Sequence, residues 1–288
     1  MIISSSPLFK QYAQTALDSE NRNRRAPYSP LGIADAIVQH LLDLARLQVT
    51  RFKISNATED SFKLVIEGRM FGTGTISSTI ISTEASLTFN GAVFGRIKLP
   101  QTQTSFWGTD FVAQEQRIEI IDHSNYCAFV RSIIVDGETN LQLQNGNCTV
   151  RALGISSVCN LSLDMPLKAI GGPRMAVKKL SRLGNDVTIV FSWSCSGPVE
   201  LDHGFCIFEL RNGHSETLAE LKGELNIAAG QTELTLHGTT RDGAVASNRV
   251  RLFGVGVEAK ENSWLNETIR EIDVPIDLEP KCVGILWC

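Results

Sequence analysis

Two acid–histidine pairs, Asp122-His123 and Asp202-His203, have the residue types of an acid–base catalyst. Side chains of adjacent residues in a β-strand point to opposite faces, so neither pair forms a catalytic dyad within itself. The G-x-S-x-G pattern of a serine nucleophile is also missing from the sequence. We therefore interpret both histidines as solvated surface residues.

The closest group of metal-ligand residue types is Cys195, His203 and Cys206. Residues three apart in a strand lie on opposite faces, which separates His203 from Cys206 if residues 199–210 form a strand. The CxxC, HExxH and H-x-x-x-H spacings of common metal sites do not occur in the sequence. The sequence therefore predicts no metal site and no cofactor.

A glycine pair, Gly254 and Gly256 followed by Ala259, matches the dinucleotide-binding pattern on paper. That motif needs a strand before it and a helix that opens at its last small residue. Both glycines fall inside a predicted strand, so the sequence favours a close-packed or bulged strand over a nucleotide loop. Asp164 and Asp273 each precede an apolar-Pro pair, and these matching positions indicate structural roles at strand ends.

The aromatic residues favour a different kind of site, an apolar pocket. Phe106 and Trp107 lie in a loop bounded by Gly108, and Trp264 begins a candidate helix. Trp193 ends a predicted strand, where ordinary core packing is the alternative. Aromatic residues on loops are well placed to line a cavity between rigid units. We therefore predict that Trp107, Phe106, Trp264 and Trp193 bind substrate.

The elements that carry these residues come from a chain that repeats itself. Each half holds a Val-Arg-x-x-Gly segment, then an Asp-x-Pro segment, and each half also holds an earlier Asn-Gly turn. A shared order of motifs at similar spacing argues for two related β domains in tandem. The repeated segments are Val150–Gly154 and Val250–Gly254, Asp164–Pro166 and Asp273–Pro275, and Asn90-Gly91 and Asn212-Gly213.

Many short period-two segments with frequent turn signals predict a mainly β fold of two tandem immunoglobulin-like β-sandwiches. An apolar stripe over residues 31–46 predicts a helix, and its polar face lacks the basic row of a membrane-surface helix, so we expect it to pack on the first sandwich. A second, inserted helix is predicted over residues 125–135, capped by Asp122 or Ser124. Copy-specific insertions are predicted at residues 101–135 and 258–271.

These elements divide the chain at Gly171-Gly172-Pro173, the best linker. We predict a leader and amphipathic helix at residues 1–46, a first β-sandwich at 47–172, a second at 173–280, and a tail at 281–288.

Composition limits the partners. The 288 residues carry a net charge of −4, which makes nucleic acid an unexpected partner. The sequence has no apolar run long enough for a transmembrane segment and no signal-peptide pattern at its start. Its seven cysteines show no disulfide framework, and pairing of Cys282 with Cys288 in the tail stays open. We therefore expect a cytoplasmic protein, and the sequence leaves a weak oligomer open.

One family resemblance covers about residues 47–280 and is clearer in the first half. The chain resembles fungal proteins of unknown function built on the late-embryogenesis-abundant group-two fold. The resemblance implies an immunoglobulin-like sandwich with a helix, often in tandem, and members often carry a membrane span. It rests on Ser61–Gly68, Gly72–Gly74, Leu87–Gly91, Phe94-Gly95, Leu99-Pro100, Ile118–Asp122, Phe129 and Val150–Gly154.

The resemblance and the missing nucleophile and metal patterns lead to two hypotheses. The first is a cofactor-independent cyclase of the intramolecular Diels–Alder type, similar to the norbornene-forming cyclases of sordarin-type biosynthesis. It would act on an apolar terpenoid or polyketide intermediate in fungal secondary metabolism, with His123, Tyr126 and Arg131 as hydrogen-bond donors. The alternative is a non-catalytic module that binds a lipid or hydrophobic ligand or contacts another protein.

Overall fold

Sixteen strands and four helices make up the part of the chain that the computed structural model describes, which is residues 30–73, 77–152, 154–172, 174–241, 243, 247–258 and 264–287. The predicted mainly β fold is confirmed. The predicted leader lies outside the described residues up to residue 29. The helices are α1 (Pro30–Asp43), α2 (His123–Val135), α3 (Trp264–Ile269) and α4 (Pro280–Trp287).

The strands are β1 (Arg46–Ser55), β2 (Ser61–Phe71), β3 (Ser78–Ile80), β4 (Thr83–Phe89), β5 (Ala92–Leu99), β6 (Thr102–Gln103), β7 (Thr109–Glu119), β8 (Glu138–Ala152), β9 (Ile155–Lys168), β10 (Arg174–Leu183), β11 (Asp186–Cys195), β12 (Val199–Asn212), β13 (Thr217–Ile227), β14 (Gly230–Thr240), β15 (Arg249–Val257) and β16 (Asp273–Asp277).

Local sequence signals place several of these boundaries. Asn90 and Gly91 join β4 to β5 with φ angles of 49° and 82°, the two positive values that a tight hairpin turn needs. Asp122 caps α2, because its side chain accepts a hydrogen bond from the backbone N–H of Asn125 at 3.0 Å. The predictions of a hairpin and of an inserted helix are therefore confirmed, and Asp122 rather than Ser124 is the cap.

Strands of the two halves are joined in the same succession. In the first half β5, β4, β8 and β9 are neighbours in that order, and β1, β2 and β7 form a second row. In the second half the corresponding neighbours are β13, β12, β15 and β16, with β10, β11 and β14 as the second row. The first half adds the short strands β3 and β6 and helix α2, and the second adds α3. Strand β7, which lies within the predicted 101–135 insertion, is third in its row, as β14 is in the other row.

The repeated Val-Arg and Asp-x-Pro segments pair differently in the two halves. Val250 pairs with Ile276, within the strand that carries Asp273. Val150 pairs instead with Ser157, and the Asp-x-Pro segment of the first half pairs with the start of β8, where Asn140 faces Pro166. The two Val-Arg segments are therefore not equivalent in register, because β8 has 15 residues and β15 has only nine.

The predicted helix is present as α1, which packs along β9. The Gln39 amide donates to the Asn160 carbonyl and accepts from the Asn160 N–H, both at 2.9 Å. These two bonds satisfy backbone groups on a strand that has β8 as its ladder partner, so the helix covers that edge. No helix among the residues described is long and apolar enough to span a bilayer.

Helix α2 fills the core of the first half with aromatic rings. The Phe129 ring lies 5.9 Å from Phe52, 5.4 Å from Phe89 and 5.2 Å from Phe94, measured between centroids. Tyr126 stacks on Phe62 at 4.5 Å. Large rings at such spacings bury much apolar area and add specific ring–ring attraction, so α2 is a structural part of this core.

Candidate functional site

The two halves meet in two places, which together we call the seam: β1 against β12, and α2 against α3. Strand β1 runs parallel to β12, with Phe52 opposite Val199, so strands of both halves share one sheet. Arg51 of β1 bonds to residues of both halves. It donates to both carboxylate oxygens of Glu200 on β12, at 2.9 and 3.1 Å, and to Glu67 on β2 at 3.0 Å. The two halves are therefore connected by a ladder and a bidentate ion pair.

Helices α2 and α3 form the second contact of the seam. Arg131 on α2 pairs with Glu271, just after α3, with 3.0 Å between Nε and Oε2. Cys127, on the same helix, faces Glu267 of α3. Burial, together with the hydrogen bond and charge of Glu267, raises the pKa of the Cys127 thiol to about 12. The helices that distinguish the two halves are thus in contact with each other.

Close approach of α3 at two glycines of β15 seats this helix on the second half. A Cβ at Gly254 would lie 2.1 Å from the Ile269 carbonyl oxygen, and one at Gly256 would lie 2.8 Å from the Asn266 side-chain oxygen. That Asn266 oxygen accepts the Val257 N–H at 2.7 Å. The glycine pair inside β15 therefore makes room for a helix, which confirms the interpretation as a close-packed strand rather than a nucleotide loop.

His203 lies beneath α3 and corrects one prediction. It is buried, and its Nε2 lies 2.8 Å from the Thr268 hydroxyl. Burial lowers the pKa of the imidazole to about 4, so the side chain is neutral at pH 7. The prediction of a solvated surface histidine was wrong for His203.

A bulge explains why strand alternation failed at this point. The β12–β13 register shifts between Asp202 and Gly204, and Gly204 has a φ of 71°. The extra residue lets His203 and Cys206 both face inward, although alternation places them on opposite faces. Burial raises the pKa of the Cys206 thiol to about 12. In the described part of the chain no group of three or more His, Cys, Asp or Glu residues could hold a metal ion.

The predicted hydrogen-bond donors lie on α2 in three different environments. His123 is exposed at the start of the helix, with its Nε2 3.9 Å from Asp60. Tyr126 is fully buried, and burial raises the pKa of its phenol well above the usual value. Arg131 is the predicted donor that reaches the seam. Beside it lies a depression of about 450 Å³, lined by residues that include Phe89, Ala128, Arg131, Ser132, Asp136 and Thr139.

The predicted substrate-binding residues are not gathered in one place. Trp193 is buried in β11, where it belongs to the core of the second half. Trp264 begins α3 at the seam, but its side chain lies outside the described residues, as does most of the chain that precedes it in the predicted 258–271 insertion.

Phe106 and Trp107 lie far from helix α2. They precede β7 at the end where Thr109 pairs with Met70, whereas α2 follows the other end, where Glu119 pairs with Ser61. These two pairs are nine residue steps apart along β2, which is roughly 30 Å at about 3.3 Å per residue. The loop aromatics and the donors on α2 therefore cannot contact one small ligand.

Comparison with known proteins adds little to this geometry. No family model matches the chain, and no curated protein matches it either. Among solved structures it is similar to red sea bream transglutaminase, with 13% identity, 95% of this chain and 34% of that chain covered, and a TM-score of 0.21. It is also similar to CBD12 of CALX1.2, with 9% identity, 81% and 97% covered, and a TM-score of 0.20. The chain spans about a third of the transglutaminase, and TM-scores this low support no argument about function.

Sequence reasoning missed several residues of the seam: Cys127, Glu267, Thr268 and Glu271. One signal was present, since Glu267, Thr268 and Glu271 all fall inside the predicted 258–271 insertion. The pairing of Glu267 and Glu271 with α2 depends on how the halves dock, and no local pattern encodes that docking.

Proposed function

We propose that the chain is a tandem of two related, immunoglobulin-like β-sandwiches, and that it acts as a cofactor-independent cyclase at the seam. The shared strand succession supports the tandem, and the contact between the two copy-specific helices supports the location. The substrate class is an apolar terpenoid or polyketide intermediate of fungal secondary metabolism, processed in the cytoplasm.

The observation that carries this proposal is the neutral state of the buried groups in and around the seam. Desolvation lowers the pKa of His203 to about 4 and raises that of Cys127 to about 12. At pH 7 the imidazole is therefore neutral and a weak base, and the thiol is not a thiolate, which disfavours proton donation by His203 and nucleophilic attack by Cys127. A concerted cyclisation requires neither an acid–base group nor a nucleophile.

An intramolecular Diels–Alder reaction can proceed at a seam whose buried groups are uncharged. In an intramolecular Diels–Alder closure, three π bonds become two σ bonds and one π bond, and no proton or electron leaves the substrate. The protein has to fold the substrate so that diene and alkene meet, which can lower the barrier by several kcal/mol. Arg131, with five donors, is the polar group that would orient an oxygen of the substrate.

The test is turnover by the purified chain of a terpenoid diene with a tethered alkene, compared with spontaneous cyclisation. We expect acceleration and a single stereoisomer, and a loss on the order of tenfold or more in Arg131→Ala. Arg241→Ala is the matched control, because Arg241 makes a similar exposed ion pair with Glu220 far from α2. A wild-type rate equal to the spontaneous rate would exclude the cyclase.

The alternative is a non-catalytic module that binds a lipid or hydrophobic ligand. It is favoured by the packing of Tyr126 and Trp193, two predicted site residues, inside the cores. Saturable binding of an apolar ligand at the seam, weakened by Arg131→Ala but without any acceleration, would establish this role instead.

A further inference from the structure

Phe106 and Trp107 are held out into solvent by a rigid turn. The Gly108 N–H donates to the Ser105 carbonyl at 3.1 Å, and the Ser105 hydroxyl donates to the Gly108 carbonyl at 2.6 Å. Gly108 has a φ of 87°, which favours glycine. The Trp107 carbonyl accepts a bond from Arg69 at 3.1 Å, so β2 also fixes the turn.

The two rings pack on each other and leave most of their surface to solvent. Their centroids are 5.1 Å apart in an edge-to-face arrangement. Trp107 is 79% exposed and Phe106 is 60% exposed. An exposed tryptophan and phenylalanine on a fixed turn bring a large apolar area into water. Such apolar patches generally mark a surface that binds another molecule or a membrane.

Two further apolar residues extend this surface into what we call the aromatic patch: Phe106, Trp107, Phe71 and Leu44. A Cβ placed at Gly108 would lie 2.7 Å from the Phe71 ring, which brings Phe71 against the turn. The backbone of Leu44 lies beside the end of β2, because a Cβ at Gly72 would be 2.4 Å from its carbonyl oxygen. Phe71 and Leu44 are both exposed.

Two arginines border the aromatic patch. The Arg69 guanidinium lies 5.6 Å from the Phe71 ring centroid, and Arg46 is the strand partner of Phe71. Two acids lie nearby: Asp110 pairs with Arg69 across the β2–β7 ladder, and Asp43 accepts a bond from Gln39. The local charge is therefore close to balanced, and arginine supplies the donors that phosphate groups bind in a bidentate manner.

The geometry points to the aromatic patch as a docking surface for a phospholipid bilayer. Tryptophan and phenylalanine prefer the boundary between headgroups and acyl chains, and arginine beside them reaches the phosphates. The nearly balanced local charge means that insertion of the rings, rather than attraction to anionic lipid, provides most of the binding. The surface is separate from the seam and does not depend on the cyclase proposal.

Co-sedimentation of the full chain with phosphatidylcholine vesicles tests the docking, with a second set that contains phosphatidylserine. We expect binding to both sets, with only a modest gain from phosphatidylserine. The double variant Phe106→Ser, Trp107→Ser should lose on the order of tenfold or more in partitioning. Leu183→Ser is the control, because Leu183 is an equally exposed apolar residue at the β10–β11 hairpin, and it should bind like the wild type.

A second variant separates insertion from mere proximity. Trp107→Phe should keep most of the binding, but it should lose the shift of tryptophan emission to shorter wavelength that vesicles cause in the wild type. The proposal is overturned if the wild type does not sediment with either vesicle set, or if the double variant sediments equally well. Dimerisation of the wild type without vesicle binding, abolished in the double variant, would show that a second copy covers the patch and would also overturn it.

Discussion

The two halves of this molecule connect their two rows of strands in different ways, and we call each such connection a corner. In the second half β13 and β14 form a continuous ladder, from Ala219 opposite Thr240 to Lys222 opposite His237. In the first half, no ladder joins β5 to β7 within the described residues. There the Gln116 amide bridges the gap, accepting from the backbone N–H of Lys98 at 2.8 Å and donating to its carbonyl at 2.9 Å.

The difference shows two ways of closing a β core. A continuous ladder around a sharp corner brings backbones so close that side chains no longer fit, and glycines line it: a Cβ at Gly238 would lie 1.7 Å from the Glu220 oxygen, and one at Gly223 would lie 2.3 Å from the Thr235 oxygen. The first-half corner is joined by the Gln116 side chain and by one backbone bond, from the Ile121 N–H to the Phe94 carbonyl at 2.9 Å. The first half then fills its core with α2 and its rings.

The largest effect is expected where the rings fill the first half. Phe129→Ala should lower the free energy of unfolding by about 3–5 kcal/mol, because it removes three ring contacts and leaves a cavity. Chemical denaturation measures the change. Phe205→Ala, at an exposed phenylalanine of β12, should stay within about 0.5 kcal/mol of the wild type. A small loss in Phe129→Ala would mean that α2 does not hold this core together.

The glycine corner of the second half should give the next largest effect. Gly238→Ala should cost about 3 kcal/mol, at the upper end for overpacking, because the added carbon meets a backbone carbonyl that cannot move aside alone. Gly213→Ala is the control, since a Cβ there meets nothing within 4 Å. Equal denaturation midpoints for the two variants would contradict the view that close backbone approach closes this half.

Acid should weaken the second half through His203. Its folded pKa of about 4 lies below the ordinary value of about 6.5, so the unfolded state binds the proton first as pH falls. The stabilisation is complete above pH 6.5 and is lost toward pH 4, which amounts to roughly 2 kcal/mol by pH 5. Denaturation at several pH values measures this loss. His203→Gln should flatten the profile; an unchanged profile in His203→Gln would refute the assignment.

The smallest effect belongs to the bridged corner. Gln116→Ala should cost about 1 kcal/mol, because the Lys98 backbone groups can bond to water once the amide is gone. Thermal melting compared with Gln114→Ala, an exposed glutamine on the same strand, measures the difference. A loss as large as that of Gly238→Ala would show that the two corners are energetically alike.

Prediction from sequence succeeded where the determinant is local. The Asn90-Gly91 hairpin, the Asp122 cap and the packed face of α1 depend on neighbouring residues and on periodicity, which the sequence displays directly. It failed at His203, where one bulge reversed the alternation, and at the Val-Arg repeat, where strands of different length changed the register. The predicted site fared similarly: Arg131 and Trp264 lie on contacting helices, while Phe106 and Trp107 lie about 30 Å away along β2.

The sequence alone therefore determined the mainly β class, the hairpin and the helix cap, because backbone dihedral preferences and side-chain alternation act over a few residues. Only the tertiary structure decided that β1 pairs with β12, that α2 meets α3, and that His203 is buried beneath Thr268. These contacts join residues far apart in the chain, and their free energy comes from desolvation and close packing that exist only once both halves are folded together.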